Sequence, residues 1–184
     1  MSDLPELQLT IFEYGFGGRR VEIDVRPKVP SRDILGNMQM IHDHRWQCEF
    51  CGEPARETSY AVASWLHLSP PRLNVYVHHV CDPDNPPCKA RLEAAQSEMA
   101  RLTRQPAPPG GGYLPRTNGA VFPLAASCAC CKEDSTAGNN NGQMLRRCSR
   151  CKLTRYCGVK CQSEDWPRHK SVCKTIRNVN WVEF

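Results

Sequence analysis

Alternating apolar and polar residues mark two short strands near the N-terminus. Residues 7–14 alternate over most of their length, and residues 20–25 alternate cleanly. Because successive side chains of a strand point to opposite faces, this pattern predicts a β-hairpin with one face available for burial. The four residues Gly15 to Gly18 that separate the two strands have the composition of a turn.

Two further strands and two helices are predicted downstream. Residues 57–68 and 72–80 are rich in Val, Tyr, Trp and Thr, which favours strands, and a Ser-Pro-Pro sequence joins them. Residues 89–102 mix Ala, Leu and Met with charged residues and contain no helix breaker, which predicts a helix. A shorter helix is predicted for residues 31–40, with Ser31 as its N-cap.

A segment rich in proline and glycine divides the chain. Residues 106–112 read Pro-Ala-Pro-Pro-Gly-Gly-Gly, a composition that holds neither a helix nor a strand. We therefore predict an N-terminal module over residues 1–102, a linker over residues 103–127, a C-terminal module over residues 128–173 and a tail over residues 174–184. The tail ends in apolar side chains, which either dock on the body or belong to an interface.

The composition favours small modules that metal ions stabilise. The 184 residues include 12 Cys and 15 Pro, so we expect metal clusters to supply folding energy that a small core lacks. The first ten residues lack the apolar region of a signal peptide, and no stretch has the length of a transmembrane helix. We therefore expect an intracellular, reducing location, either nucleus or cytoplasm, and no membrane contact.

The positive charge is concentrated in the C-terminal part. The formal net charge of the chain is +5, and residues 128–174 contain 10 cationic and 4 acidic side chains. Zinc ligation by thiolates offsets much of this excess, because a four-thiolate site with its ion carries a charge of −2. We therefore expect no nucleic-acid partner and keep a nucleic-acid-associated transcriptional regulator as the alternative function.

Four regularly spaced pairs of metal-binding residues occupy the C-terminal part. The pairs are Cys128-x2-Cys131, Cys148-x2-Cys151, Cys157-x3-Cys161 and His169-x3-Cys173. Eight donors suffice for two tetrahedral zinc sites. The x2 spacing predicts tight knuckles, and the x3 spacing predicts two short helices, because residues i and i+4 share a helix face. Cys130 is an alternative to Cys131, which we favour because a two-residue gap suits a knuckle better.

A second group of cysteines lies in the N-terminal module. Cys48-x2-Cys51 is followed by a glycine that helps backbone N–H groups turn toward sulfur. With the two strands and the helix, the order of elements is that of a treble-clef zinc module. We predict a third zinc ion on four ligands, Cys48, Cys51, Cys81 and Cys88. His78 or His79 is an alternative to one of the later cysteines. The isolated His42 and His44 are interpreted as solvated residues.

The C-terminal part resembles the MYND zinc finger. The match includes Cys148-Ser149-x-Cys151, Arg155-Tyr156-Cys157-Gly158, Cys161-Gln162, Asp165-Trp166, His169 and Cys173. The resemblance implies a cross-braced pair of sites. One would be held by Cys128, Cys131, Cys157 and Cys161, and the other by Cys148, Cys151, His169 and Cys173. The N-terminal half loosely resembles a region found in some fungal MYND proteins.

The resemblance also implies a binding function. MYND fingers are generally readers of proline-rich peptides, and Ser149, Gln162 and Trp166 occupy the positions that line the peptide groove in that family. A polyproline II ligand is already extended, an indole offers a flat apolar surface to a proline ring, and an amide bonds unpaired backbone groups. The structural alternatives are that Trp166 covers the zinc as a core residue and that Ser149 only shapes its knuckle.

We therefore expect an α+β protein built from small zinc-stabilised modules that acts as a protein–protein interaction adaptor. Closed zinc sites have no open coordination position, and every pairing of a His with a Cys is better used in metal ligation than in nucleophilic catalysis. Some MYND fingers are inserted in SET-domain methyltransferases, whose length and motifs this sequence lacks. We accordingly expect no enzymatic activity.

Overall fold

The computed structural model describes residues 6–28, 46–82, 84–104, 106, 121–137 and 144–182. The elements, in chain order, are β1 (Gln8–Tyr14), β2 (Arg20–Val25), β3 (Glu57–Trp65), β4 (Arg72–Val80), α1 (Pro86–Thr103), β5 (Arg146–Arg147), β6 (Arg155–Tyr156), α2 (Val159–Thr175) and β7 (Ile176–Val182). The chain is α+β, as predicted. The helix predicted over residues 31–40 and the side chains of His42 and His44 lie outside the described residues.

Five strands form one mixed sheet in the order β3-β4-β1-β2-β7. The predicted hairpin is present, since β1 pairs with β2, and the two further predicted strands, β3 and β4, also pair in antiparallel fashion. The central strands β1 and β4 are parallel. The last strand, β7, comes from the predicted tail and pairs with β2, with Val179 opposite Ile23. The tail therefore docks on the body of the protein.

One hydrophobic core joins the sheet to the C-terminal module. Leu9, Ile11 and Ile23 point from the sheet and are at most 1% exposed, and the same cluster contains Leu153 and Tyr156 from the C-terminal module. Burying a large aliphatic side chain contributes about 1.5–3 kcal/mol. The sheet and the C-terminal module consequently stabilise each other through shared apolar contacts.

Residues just before the first C-terminal knuckle are tied to the N-terminal module. The Ala125 N–H donates to the Ala55 carbonyl at 2.8 Å. The Arg56 side chain donates to the Phe122 carbonyl at 2.8 Å and pairs with the Asp134 carboxylate at 2.7 Å. The last part of the predicted linker therefore contacts the N-terminal module directly, and Arg56 of that module also pairs with the C-terminal module.

The alternation of β1 brings a carboxylic acid into the core. Glu13 is 0% exposed and lies in register with Val21 and Val77 on the neighbouring strands. Its Oε2 is 3.5 Å from Nε2 of buried His79, and neither side chain has a hydrogen-bond partner among the described residues. Burial raises the pKa of Glu13 well above its usual value and lowers the pKa of His79 to about 3. Burial therefore disfavours the charged form of both side chains.

A matched pair of leucine substitutions tests the shared core. Leu9→Ala removes a fully buried side chain, so we expect a loss of about 2–5 kcal/mol in the free energy of unfolding. Leu66→Ala removes a side chain that is 59% exposed and should change it by less than about 0.5 kcal/mol. Urea unfolding of the zinc-loaded protein, followed by tryptophan fluorescence and by zinc release, should give one coincident transition. Separate transitions would contradict a shared core.

Candidate metal centres and interaction surface

The three Cys-x2-Cys segments adopt the same turn. In each, the residue after the second cysteine donates its N–H to the carbonyl of the first cysteine, at 2.9–3.0 Å, and has a positive φ. This residue is Gly52 in the first turn, where φ is 81°. In the C-terminal turns it is Lys132 and Lys152, both with a φ of 57°. The turn that brings the two sulfurs together requires a left-handed backbone at this position. Both lysines adopt it, although this conformation normally favours glycine.

The N-terminal donor group consists of four cysteines. Their sulfurs all lie within 4.8 Å of one another, and the group comprises Cys48, Cys51, Cys81 and Cys88. Cys81 follows β4, and Cys88 lies in the first turn of α1. The Sγ–Sγ distances of 3.6–3.8 Å agree with about 3.8 Å, the edge expected of a tetrahedron with zinc–sulfur bonds of about 2.3 Å. This group therefore fits a zinc ion.

Neither of the neighbouring histidines belongs to this group. His78 Nδ1 lies 2.7 Å from a carboxylate oxygen of Glu49. The ring of His79 stacks on Trp46 with centroids 4.3 Å apart. A Cβ on Gly15 would lie 2.6 Å from the Trp46 ring, so a glycine is required for this close approach. The structure therefore favours four cysteines over the predicted histidine alternative.

The first C-terminal donor group combines a knuckle with the start of α2. Its sulfurs lie within 4.8 Å of one another, and it comprises Cys128, Cys131, Cys157 and Cys161. The Cys131–Cys157 and Cys157–Cys161 sulfur distances are 4.0 and 3.3 Å. The Cys157 N–H also donates to the Cys128 sulfur at 3.4 Å. Cys130 is not a member of this group and lies near Glu164 instead.

The second C-terminal donor group is fully buried. It comprises Cys148, Cys151, His169 and Cys173. The Cys148–Cys173 sulfur distance is 3.8 Å, and His169 Nε2 lies 3.6 Å from the Cys151 sulfur. The Thr154 hydroxyl lies 3.4 Å from His169 Nδ1, which leaves Nε2 to face the metal position. Burial lowers the pKa of His169, so the imidazole is neutral and able to ligate.

The prediction of two short helices for the x3 pairs was wrong. A single helix, α2, carries Cys161, His169 and Cys173, and Cys157 lies before it. The eight-residue interval from Cys161 to His169 separates these ligands by about 12 Å along the axis. The helix continues through this interval, and Asp165 at its centre is bonded to Tyr156 and Arg168. Pairwise spacing could not show whether the helix continues between the two pairs.

The first cysteine of each knuckle is the readiest to ionise. Burial opposes ionisation of Cys48, Cys128 and Cys148, but hydrogen bonds from backbone N–H groups outweigh burial and lower the pKa of each thiol. In contrast, burial raises the pKa of Cys81 to about 11 and that of Cys173 to about 12. A metal ion must therefore displace protons from the later ligands, which couples binding to proton release.

Two of the predicted peptide-binding residues share one face of α2. Gln162 and Trp166 are four residues apart, and the Trp166 side chain is 38% exposed. Val159, three residues before Gln162, extends the same face and is 66% exposed. Ser149 is exposed on the knuckle that begins at Cys148. Val159 was not among the residues predicted from the sequence, although the i, i+3, i+7 spacing of Val159, Gln162 and Trp166 indicates one helix face.

Trp166 is partly packed against the second C-terminal donor group and partly exposed. Its ring lies 6.0 Å from the ring of His169, at an angle of 59°. The indole therefore contacts a member of the buried donor group with one part and offers the rest to solvent. This position links the surface of α2 directly to the second C-terminal donor group.

A buried carboxylate holds the middle of α2. The Tyr156 hydroxyl donates to Asp165 Oδ2 at 2.8 Å, and Arg168 donates to both Asp165 oxygens at 2.6 Å. Burial and the neighbouring carboxylate raise the pKa of Tyr156, which keeps its hydroxyl protonated as the donor. The network connects β6 to α2 close to Trp166.

A tyrosine pair tests this network. Tyr156→Phe leaves a buried oxygen of Asp165 with one donor fewer, so we expect a loss of about 1–3 kcal/mol in the free energy of unfolding. Tyr60→Phe removes the same hydroxyl from a residue that is 38% exposed and should have little effect. Denaturant unfolding of both zinc-loaded variants measures the difference. Equal stability of the two variants would show that the Tyr156–Asp165 hydrogen bond contributes nothing.

Comparison with known proteins supports the C-terminal resemblance. The sequence model of the family described as MYND finger matches residues 128–173. Histone-lysine N-methyltransferase SMYD3 of Homo sapiens is 44% identical over 36 residues, and N-lysine methyltransferase SMYD2 of Sus scrofa is 49% identical over 39 residues. SET domain and MYND-type zinc finger protein 6 of Schizosaccharomyces pombe is 35% identical over 54 residues. No solved structure matches the chain significantly.

These similarities cover the finger region and little else. The three alignments span 20%, 20% and 29% of this chain, and 8%, 9% and 10% of the respective relatives. The loose likeness of the N-terminal half to fungal MYND proteins stays a prediction. None of the described helices is both long and apolar enough to cross a membrane. Residues 128–173 of this chain are a MYND finger, a zinc-binding module that mediates protein–protein interactions.

Proposed function

We propose that the protein is an adaptor whose MYND finger docks proline-rich segments of other proteins. The observation that carries this proposal is the half-exposed Trp166, which shares a helix face with Gln162 and the exposed Val159. An indole and an aliphatic side chain provide an apolar surface for proline rings, and the amide can bond the extended ligand backbone. The Tyr156–Asp165–Arg168 network keeps this face in place before a ligand arrives.

Three zinc ions are part of this proposal. Two occupy the donor groups of the finger, and the third occupies the four-cysteine group of a treble-clef-like N-terminal module. The support is the order of knuckle, hairpin β3–β4 and helix α1, together with the Sγ–Sγ distances of 3.6–3.8 Å. Each donor group supplies four ligands, so each ion is structural and has no open position for a substrate.

We also propose that the protein is not an enzyme. The methyltransferase names belong to relatives of which this chain matches 8–10%, in the finger region. Eleven of the 12 cysteines lie in the three four-donor groups, where ligation leaves no free thiolate nucleophile. Unoxidised cysteines in this number suit a reducing compartment, so we propose an intracellular location in the nucleus or cytoplasm.

The zinc count tests the third site. After dialysis against a weak chelator, native mass spectrometry should find three zinc ions per chain. Cys88→Ser removes a ligand of the N-terminal group and should leave two, because a three-thiolate remnant binds zinc less tightly. Cys130→Ser, which changes the one cysteine outside these groups, should keep three. Two ions in the unmodified protein would contradict the N-terminal site.

Peptide capture tests the docking surface. A display screen with proline-rich peptides should enrich a motif with the unmodified protein, and Trp166→Ala should weaken its binding at least about tenfold, as for a central interface aromatic. Trp65→Ala, in β3, is the matched control and should bind normally. Zinc content must stay unchanged in both variants. If Trp166→Ala releases zinc, the role of Trp166 is structural. If the protein shows no selectivity among peptides and its binding is lost in moderate salt, the nucleic-acid alternative is favoured.

A further inference from the structure

One thiol lies outside the three four-donor groups. Cys130 is part of the knuckle that starts at Cys128, and its sulfur lies 3.8 Å from Oε2 of Glu164. The donor atoms of Cys130, Cys161 and Glu164 all lie within 4.8 Å of one another. Two thiols and a carboxylate thus converge beside the first finger site, and one of them, Cys161, also belongs to that site.

Secondary structure produces this convergence. Cys161 and Glu164 are three residues apart on α2 and therefore lie on the same face of the helix. The knuckle turn, which directs Cys128 and Cys131 into the closed site, leaves the intervening Cys130 over the first turns of α2. Cys130 and Cys161 are half-buried and Glu164 is exposed, so solvent reaches the cluster.

We propose that Cys130, Cys161 and Glu164 form an open site for a soft divalent metal ion, zinc or cadmium, with Cys161 as a thiolate shared with the closed site. The inference rests on the proposed occupation of that closed site. Three protein donors and one position for water are the arrangement of an open zinc site, in contrast to the four donors of a structural one. Thiolate ligands select for soft metals over magnesium or calcium.

The charges favour this second ion. A four-thiolate site with its ion carries a charge of −2, which attracts a further cation. The ion adds +2, and the Cys130 thiolate and the Glu164 carboxylate neutralise it. Binding releases one proton, from the Cys130 thiol, to solvent. The net charge of the two sites together therefore rises by only one, from −3 to −2, when the second ion binds and the proton leaves.

The shared thiolate gives the open site a role in metal loading. An ion bound at the solvent-exposed donors is already coordinated by Cys161, which is one of the four ligands of the closed site. It reaches that site by exchanging Cys130 and Glu164 for Cys128, Cys131 and Cys157, while Cys161 stays bound. Lys160 lies 3.9 Å from the other oxygen of Glu164 and leaves Oε2 free to face the sulfurs.

The experiment uses the full chain loaded with excess cadmium-113. We expect the unmodified protein to hold one more cadmium ion than Cys130→Ser or Glu164→Gln, counted by native mass spectrometry. Cadmium NMR should show scalar coupling between two ions through the shared thiolate, and each variant should lose it. Glu93→Gln, an exposed carboxylate on α1, is the matched control and should keep both the ion and the coupling.

The outcomes separate this inference from the proposed function. Equal cadmium counts in the unmodified protein and Cys130→Ser, with no coupling, would overturn the open site while leaving the closed sites in place. Missing resonances from the closed sites in every variant would overturn the proposed zinc sites instead. A Cys131→Ser variant that keeps the closed-site resonance and loses the coupled one would show that Cys130 merely replaces Cys131, and it too would overturn the open site.

Discussion

Burial of one sheet face under the finger is the interaction on which the rest of the structure depends. Leu9, Ile11 and Ile23 of the sheet belong to the same buried cluster as Leu153 and Tyr156 of the finger, so removing the finger would take apolar contacts from the sheet. A smaller cluster around Val80 and Leu92 lies within the N-terminal module, but the larger cluster contains side chains of both modules. The finger is therefore positioned by ordinary hydrophobic packing as well as by its donor groups.

Metal ligation and sheet formation meet at the end of α2. Cys173 is a member of the buried donor group, α2 ends two residues later, and β7 begins at once. The Thr175 carbonyl accepts the Arg26 N–H at 2.9 Å, so the helix end is bonded to the segment after β2. An ion bound in this group would hold the end of α2 next to β7, so its binding free energy would contribute to the stability of the sheet.

The proposed docking face gains from this rigidity. Trp166 contacts His169 with one side of its ring, and the adjacent Asp165 is bonded to Tyr156 and Arg168. A surface that is already ordered loses little conformational entropy when a ligand binds. The open cluster at Cys130 lies near the start of the same helix, so metal loading and peptide docking would occur on different turns of one rigid element.

Much of the local structure was predictable from the sequence. Period-two alternation predicted the β1–β2 hairpin, residue composition predicted β3 and β4, and cysteine spacing predicted three knuckles, because these signals depend on residues close in the chain. The division of the finger ligands into two interleaved groups was implied only by the resemblance to MYND fingers. Local signals could not predict that α2 continues from Cys161 to Cys173, that Lys132 takes a left-handed conformation, or that Glu13 is buried. The tertiary structure alone decided that the tail forms β7 and that the finger covers the sheet, because such long-range pairing depends on which apolar faces meet.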